Sequence, residues 1–102
     1  MINVRTIRKL KENDGLTLKN GKIIVYKSGY QVADYGEELT TAEEAIKVIR
    51  TMGGDCGVWY NGGIYYIDHS MRISTKREAL AIGRAHQQIS ILKWSNFSLI
   101  YC

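Results

Sequence analysis

A self-similarity at an offset of 34 positions constrains this chain more than any other feature of its sequence. Slid by that offset, Tyr26 meets Tyr60, Gly29 meets Gly63, Thr41 meets Thr75, Glu44 meets Glu78, Ala45 meets Ala79 and Arg50 meets Arg84, all without a gap. Ile46 meets Leu80, and Val58-Trp59-Tyr60 falls on Leu92-Lys93-Trp94, so the pattern continues through the last strand. A period of this length marks one supersecondary unit used more than once, each copy covering the apolar face of the next.

Each unit reads as strand, tight turn, strand, helix. Outgoing strands are expected over Ile23–Lys27, Gly57–Tyr60 and Ile89–Trp94, with return strands over Tyr30–Tyr35, Ile64–Ile73 and Ser98–Cys102. Between them lie Lys27-Ser28-Gly29, Asn61-Gly62-Gly63 and Ser95-Asn96, and the Asn-Gly and Gly-Gly pairs supply the positive φ that two-residue hairpin loops need. The chain has no proline, so every backbone N–H after the first residue is free for a sheet ladder. Helices start at Thr41-Ala42-Glu43-Glu44 and Thr75-Lys76-Arg77-Glu78, two T-x-x-E capping boxes at the same repeat position. Ala42, Ala45, Ile46, Ile49 and Met52 form one helical stripe, Ala79, Leu80, Ile82 and His86 a second, and Gly53-Gly54 ends the first of these helices. A basic helix over residues 3–13 precedes them, and Leu16–Lys22 offers a further hairpin about Asn20-Gly21. The expected fold is α+β: one domain over residues 1–102, an antiparallel sheet of about six strands and three helices. It divides into the helix at 3–13, repeat units at 22–54 and 56–88, and a hairpin at 89–102.

Strand alternation sorts residues by face. With Asn61-Gly62 as the hairpin loop, Val58, Tyr60, Tyr65, Ile67, His69, Met71 and Ile73 share an apolar core face. The other face takes Trp59, Ile64, Tyr66, Asp68, Ser70 and Arg72. The same rule assigns to that second face Ile23, Val25, Tyr30, Val32 and Asp34 from the first unit, and Ile91, Lys93, Ser98 and Ile100 from the last. Exposed together, these would exceed the apolar patch that monomers usually tolerate. Tyr, Trp and Arg dominate binding hot spots, so the face reads as an interaction surface. Coverage by the first helix and self-association are the competing readings.

Charge is laid out in three blocks. Residues 1–27 carry seven Lys/Arg against two acids, residues 28–70 two against seven, and residues 71–102 five against one, for a net charge of +4. Such a dipolar layout steers charged partners. Arg5, Arg8, Lys9 and Lys11 on the first helix and Arg72, Lys76, Arg77 and Arg84 about the third make nucleic acid a candidate partner. No recognised nucleic-acid motif accompanies them. An opening segment without an apolar core and the lack of any long apolar run point to a cytoplasmic protein.

Catalytic motifs are scarce: no Gly-rich phosphate loop, no G-x-S-x-G elbow and no H-E-x-x-H. Asp68-His69-Ser70 has the residue types of a triad, but neighbours on one strand point to opposite faces. Cys56, His69, His86 and Cys102 are donor types suited to zinc, without the paired spacing that defines such sites. The reading is therefore a non-enzymatic protein with no cofactor and no metal assigned, a zinc-stabilised module staying open as a third possibility.

Five segments carry a resemblance: Gly29-Tyr30-Gln31-Val32, Cys56-Gly57-Val58-Trp59, Gly63-Ile64-Tyr65-Tyr66-Ile67-Asp68, Thr75-Lys76-Arg77-Glu78-Ala79 and the run Gln88–Trp94. Over roughly residues 16–102 the chain resembles small proteins encoded by phages and prophages of Firmicutes. Many proteins of that kind are anti-defence factors, including anti-CRISPR proteins that block a nuclease complex by binding it. The resemblance implies an inhibitor of a host defence protein, such as a CRISPR-Cas nuclease, acting in the host bacterial cytoplasm. Tyr30, Trp59 and Tyr66 would be its aromatic anchors, with Arg72, Lys76 and Arg77 supplying charge complementarity. A small nucleic-acid-binding regulator is the alternative.

Overall fold

Both capping boxes open helices in the computed structural model, which describes residues 2–102; Met1 lies outside the described residues. Thr41 Oγ1 accepts from the Glu44 amide at 3.1 Å and Thr75 Oγ1 from the Glu78 amide at 3.3 Å. The chain is α+β, with three helices and one seven-stranded antiparallel sheet. In order the elements are α1 (Val4–Arg8), β1 (Gly15–Lys19), β2 (Lys22–Ile23), β3 (Tyr30–Leu39), α2 (Ala42–Thr51), β4 (Asp55–Asn61), β5 (Ile64–Ile73), α3 (Lys76–Ala85), β6 (Ser90–Lys93) and β7 (Ser98–Tyr101). None of these helices is long and apolar enough to cross a membrane.

The sheet runs β2-β1-β4-β5-β3-β6-β7. Strands β3 and β5 are each ten residues long, start 34 positions apart and pair with each other at the centre. Each is followed by a ten-residue helix and then by a strand on the far side of the other: α2 leads to β4 beside β5, and α3 leads to β6 beside β3. The result is a split β-α-β-β-α-β, or ferredoxin-like, connectivity, widened by β1-β2 at one end and β7 at the other.

All three helices cover one face of the sheet. Ile7 of α1 and Ala45, Ile46 and Ile49 of α2 pack on Leu18, Cys56, Val58 and Ile67. Ala79 of α3 packs on Val32 and Ile91, forming a second, smaller cluster. The first helix therefore leaves the opposite face uncovered. It is also shorter than the expected 3–13, because residues beyond Lys9 are drawn toward the sheet. There the Asn13 amide donates to the Tyr60 carbonyl at 2.8 Å and the Tyr60 amide to the Asp14 carbonyl at 3.1 Å.

Two hairpins differ from expectation. The β4-β5 loop is Gly62-Gly63 rather than Asn61-Gly62, with Asn61 opposite Ile64. Both glycines have positive φ, 59° and 78°, as a type I′ turn requires. The change shifts the register by two residues and so leaves the faces of β4 and β5 as expected. No hairpin forms between Ile23–Lys27 and Tyr30–Tyr35. Residues Lys22 and Ile23 pair instead with β1, across Asn20-Gly21 at φ 52° and 77°.

A β-bulge in β3 overturns the face assignments of Tyr30, Val32 and Asp34, the last of which lies beside His69 and His86 on the helix side. Ala33 pairs with Ser70 and Gly36 with Asp68, so Asp34 and Tyr35 together oppose His69. One extra residue reverses the alternation upstream of it. Tyr30 and Val32 therefore stand on the helix-covered face, opposite Ile73 and Met71. Through β6 and β7 the same parity carries Ile91, Lys93, Ser98 and Ile100 to that face.

Candidate ligand trough on the open face of the sheet

The face opposite the helices divides into a closed half and an open half. The closed half is built on Gln31, whose side chain is buried. Its Nε2 donates to Asp55 Oδ2 and to Ser70 Oγ, both at 2.9 Å, and its Oε1 accepts from Trp94 Nε1 at 3.0 Å. Residues 24–29 cross above this network. Tyr26 donates from its hydroxyl to Asp55 at 2.9 Å and meets the Trp94 ring edge-on at 5.4 Å. Arg72 holds the same segment, donating from Nε to the Ser28 carbonyl at 3.0 Å and lying 5.4 Å from the Tyr26 ring centroid. The donors and acceptors here are paired, which is what lets polar side chains be buried on a sheet face.

The open half is a trough of about 970 Å³. Its floor is made of short side chains: Thr17, Gly57, Ala33, Ser70 and Ser90, with Asp68 among them. One wall is Ile23, Ile24 and Val25; the other is Ile89, Phe97, Leu99 and Tyr101, and Trp59 stands at the end. Eight large apolar side chains are exposed among the described residues, and all but Tyr35 line this trough. Ile89 is 80% and Tyr101 74% exposed, which makes their rims contact area with nothing to contact.

Among the described residues, Asp68 is the one charged residue in the lining. Its cross-strand partners are Gly36 on β3 and Gly57 on β4. A Cβ at Gly36 would collide with the Asp68 carboxylate and the Ile67 carbonyl, so the glycine makes the room in which that carboxylate sits. Burial raises the Asp68 carboxyl above its ordinary value.

The six residues expected to bind are not brought together. Trp59 and Tyr66 do share the open face, opposite each other with ring centroids 5.0 Å apart. Tyr30 packs on the other side of the sheet against the α3 cluster. Arg72 lies on the open face six residues along β5 from Tyr66, roughly 20 Å away, and is occupied with Ser28. Lys76 and Arg77 begin α3 and are exposed on the helix side. Sequence reasoning missed the second wall, Phe97, Leu99 and Tyr101. The signal for it was alternation in the last strand once β6 is paired with β3.

The other reactive residue types are scattered. Asp34, at the bulge, sits with its two oxygens 3.7 Å from His69 Nδ1 and 3.7 Å from His86 Nδ1. Both ring nitrogens are buried without a hydrogen-bond partner, and Tyr35 stacks on His69 at 5.1 Å. Asp68 and Ser70 face away from His69, across the sheet. Cys56 is in the α2 core, its thiol pushed up to about 12 by burial and by the charge of Asp68; Cys102 is half-buried and packs against the edge of the α3 cluster. Among the described residues no three His, Cys, Asp or Glu side chains are placed to share a metal ion. Compared with known family models, curated proteins and solved structures, the chain matches none.

Proposed function

We propose that this chain is a stoichiometric binding protein that takes an apolar segment of a protein partner into the open-face trough. The observation that carries this reading is the convergence of exposed apolar side chains from β2, β4, β7 and the loops following β2 and flanking β6 on one concavity. Large exposed apolar patches with aromatic anchors are the usual mark of a docking surface. The resemblance to phage proteins supplies the setting: an inhibitor that occupies a host defence protein, such as a CRISPR-Cas nuclease complex. Nucleic acid is the weaker candidate, because its phosphates need cations beside the stacking rings and the charge in the lining of this trough is that of Asp68.

The test is inhibition of purified defence nuclease complexes by the full chain at equimolar ratio. Trp59→Ala and Tyr101→Ala should each weaken binding thirtyfold or more, about 2 kcal/mol, as expected for an aromatic anchor. Both variants should keep the wild-type melting temperature to within a few degrees, since Tyr101 is 74% exposed and Trp59, though packed on Tyr66, lies outside the buried core. Full activity in both variants would remove the trough from the reading. Lack of inhibition across a panel of such complexes would remove the anti-defence setting.

A further inference from the structure

We propose that the segment received by the trough carries a lysine or arginine flanked by large apolar side chains, with its cation seated on Asp68. This rests on the reading of the trough as the binding site and adds what it selects. The walls are apolar, so a partner gains contact area from branched and aromatic side chains. The floor sets a second condition. Asp68 stands between Gly36 and Gly57, so neither flanking strand offers it a side chain. The Asp68 carboxylate lies over Gly36 and lines the floor of the trough, where a group coming from above meets it.

Three kinds of occupant meet this floor differently. A wholly apolar segment would seal the carboxylate away from water without a partner, which is costly. A segment presenting an acid or a phosphate would add like-charge repulsion where little water remains to screen it. A basic side chain forms a charge-assisted hydrogen bond with Asp68 and lays its aliphatic stem along the apolar wall. Burial of Asp68 already raises its carboxyl in the free chain, so an arriving cation relieves an existing penalty. The walls also argue for a protein segment over a free amine. Side chains as exposed as Ile89 and Tyr101 enclose little around a small molecule but give a larger partner a rim.

The probe is an array of short randomised peptides incubated with the full chain, followed by soluble versions of the strongest binders measured by tryptophan fluorescence. Enrichment of peptides with one lysine or arginine between large apolar residues is expected. Replacing that lysine by norleucine should weaken binding about tenfold or more, and replacing it by glutamate should abolish it. In Asp68→Asn the lysine and norleucine peptides should bind alike. Equal affinity of the two peptides for the unaltered chain overturns the proposal without reliance on any variant. So does a lysine preference that survives in a folded Asp68→Asn. Failure of the trough itself reads differently: Trp59→Ala would then leave every peptide's affinity unchanged. A stable dimer at the same concentration that excludes the peptides, or Trp59-dependent binding of single-stranded oligonucleotides in their place, also overturns it.

Discussion

At Asp68 the chain places a carboxylate where both neighbouring strands present glycine, and the arrangement has a cost visible in the free protein. Burial raises the Asp68 carboxyl, so the folded chain holds its proton at pH values where the unfolded chain has released it. Stability therefore falls as pH rises from the unfolded to the folded value, and the loss persists at neutral pH. Asp68→Asn should melt higher than wild type near neutral pH and show a smaller difference in mild acid, read by thermal denaturation at both. A lower melting point at neutral pH would mean that Asp68 has a stabilising partner. Cys56 illustrates the opposite use of burial. With its thiol pushed up to about 12 it stays protonated at neutral pH, so iodoacetamide should label Cys102 in the native chain and reach Cys56 only after denaturation. Mass spectrometry of the alkylated chain decides it.

The elements divide by how far their causes lie in the sequence. Helices α2 and α3 were legible because Thr41 and Thr75 act on residues three positions away. The β4-β5 faces were legible because alternation survives a register shift of two. Segment 24–29 was not, because what holds it is remote: Tyr26 is tied to Asp55, 29 residues on, and Gln31 to Trp94, 63 residues on. Its strand-like composition lost to that network. Tyr30 was misplaced for a different reason, since the bulge is local but carries no sequence signature beyond Gly36. Of the trough residues, Trp59 could be placed with Tyr66 on the open face from their own hairpin, while the far wall depends on the β3-β6 pairing. Gln31→Ala is the test of the network. It leaves the Trp94 Nε1–H without a partner and Asp55 with fewer, and should cost about 3 kcal/mol in denaturant titration. A loss under about 1 kcal/mol would show that segment 24–29 is held by packing alone.

For the whole molecule, the apolar core lies under the helices, while the proposed binding trough lies on the opposite side of the sheet beside the buried Gln31 network. Ile67 is fully buried under α2, whereas Ile89 lines the trough. Ile67→Ala should cost about 2 to 5 kcal/mol. Ile89→Ser should change stability by no more than about 0.5 kcal/mol while weakening partner binding. Equilibrium unfolding of the two variants separates the roles, and a large stability loss at Ile89 would contradict the division. The same separation gives the bulge at Asp34–Tyr35 a wider meaning. Downstream of it β3 keeps step with β5, its 34-residue counterpart; upstream it runs in opposite phase, which turns Val32 toward α3 and Gln31 toward the buried network. The extra residue acts as a half-turn in the wiring between two cores. Deleting one residue there would leave composition and length almost untouched, yet it would evert Val32 and drive Gln31 beneath α3. A surface strand that looks tolerant of small deletions is thus the place where a one-residue loss should turn the protein inside out.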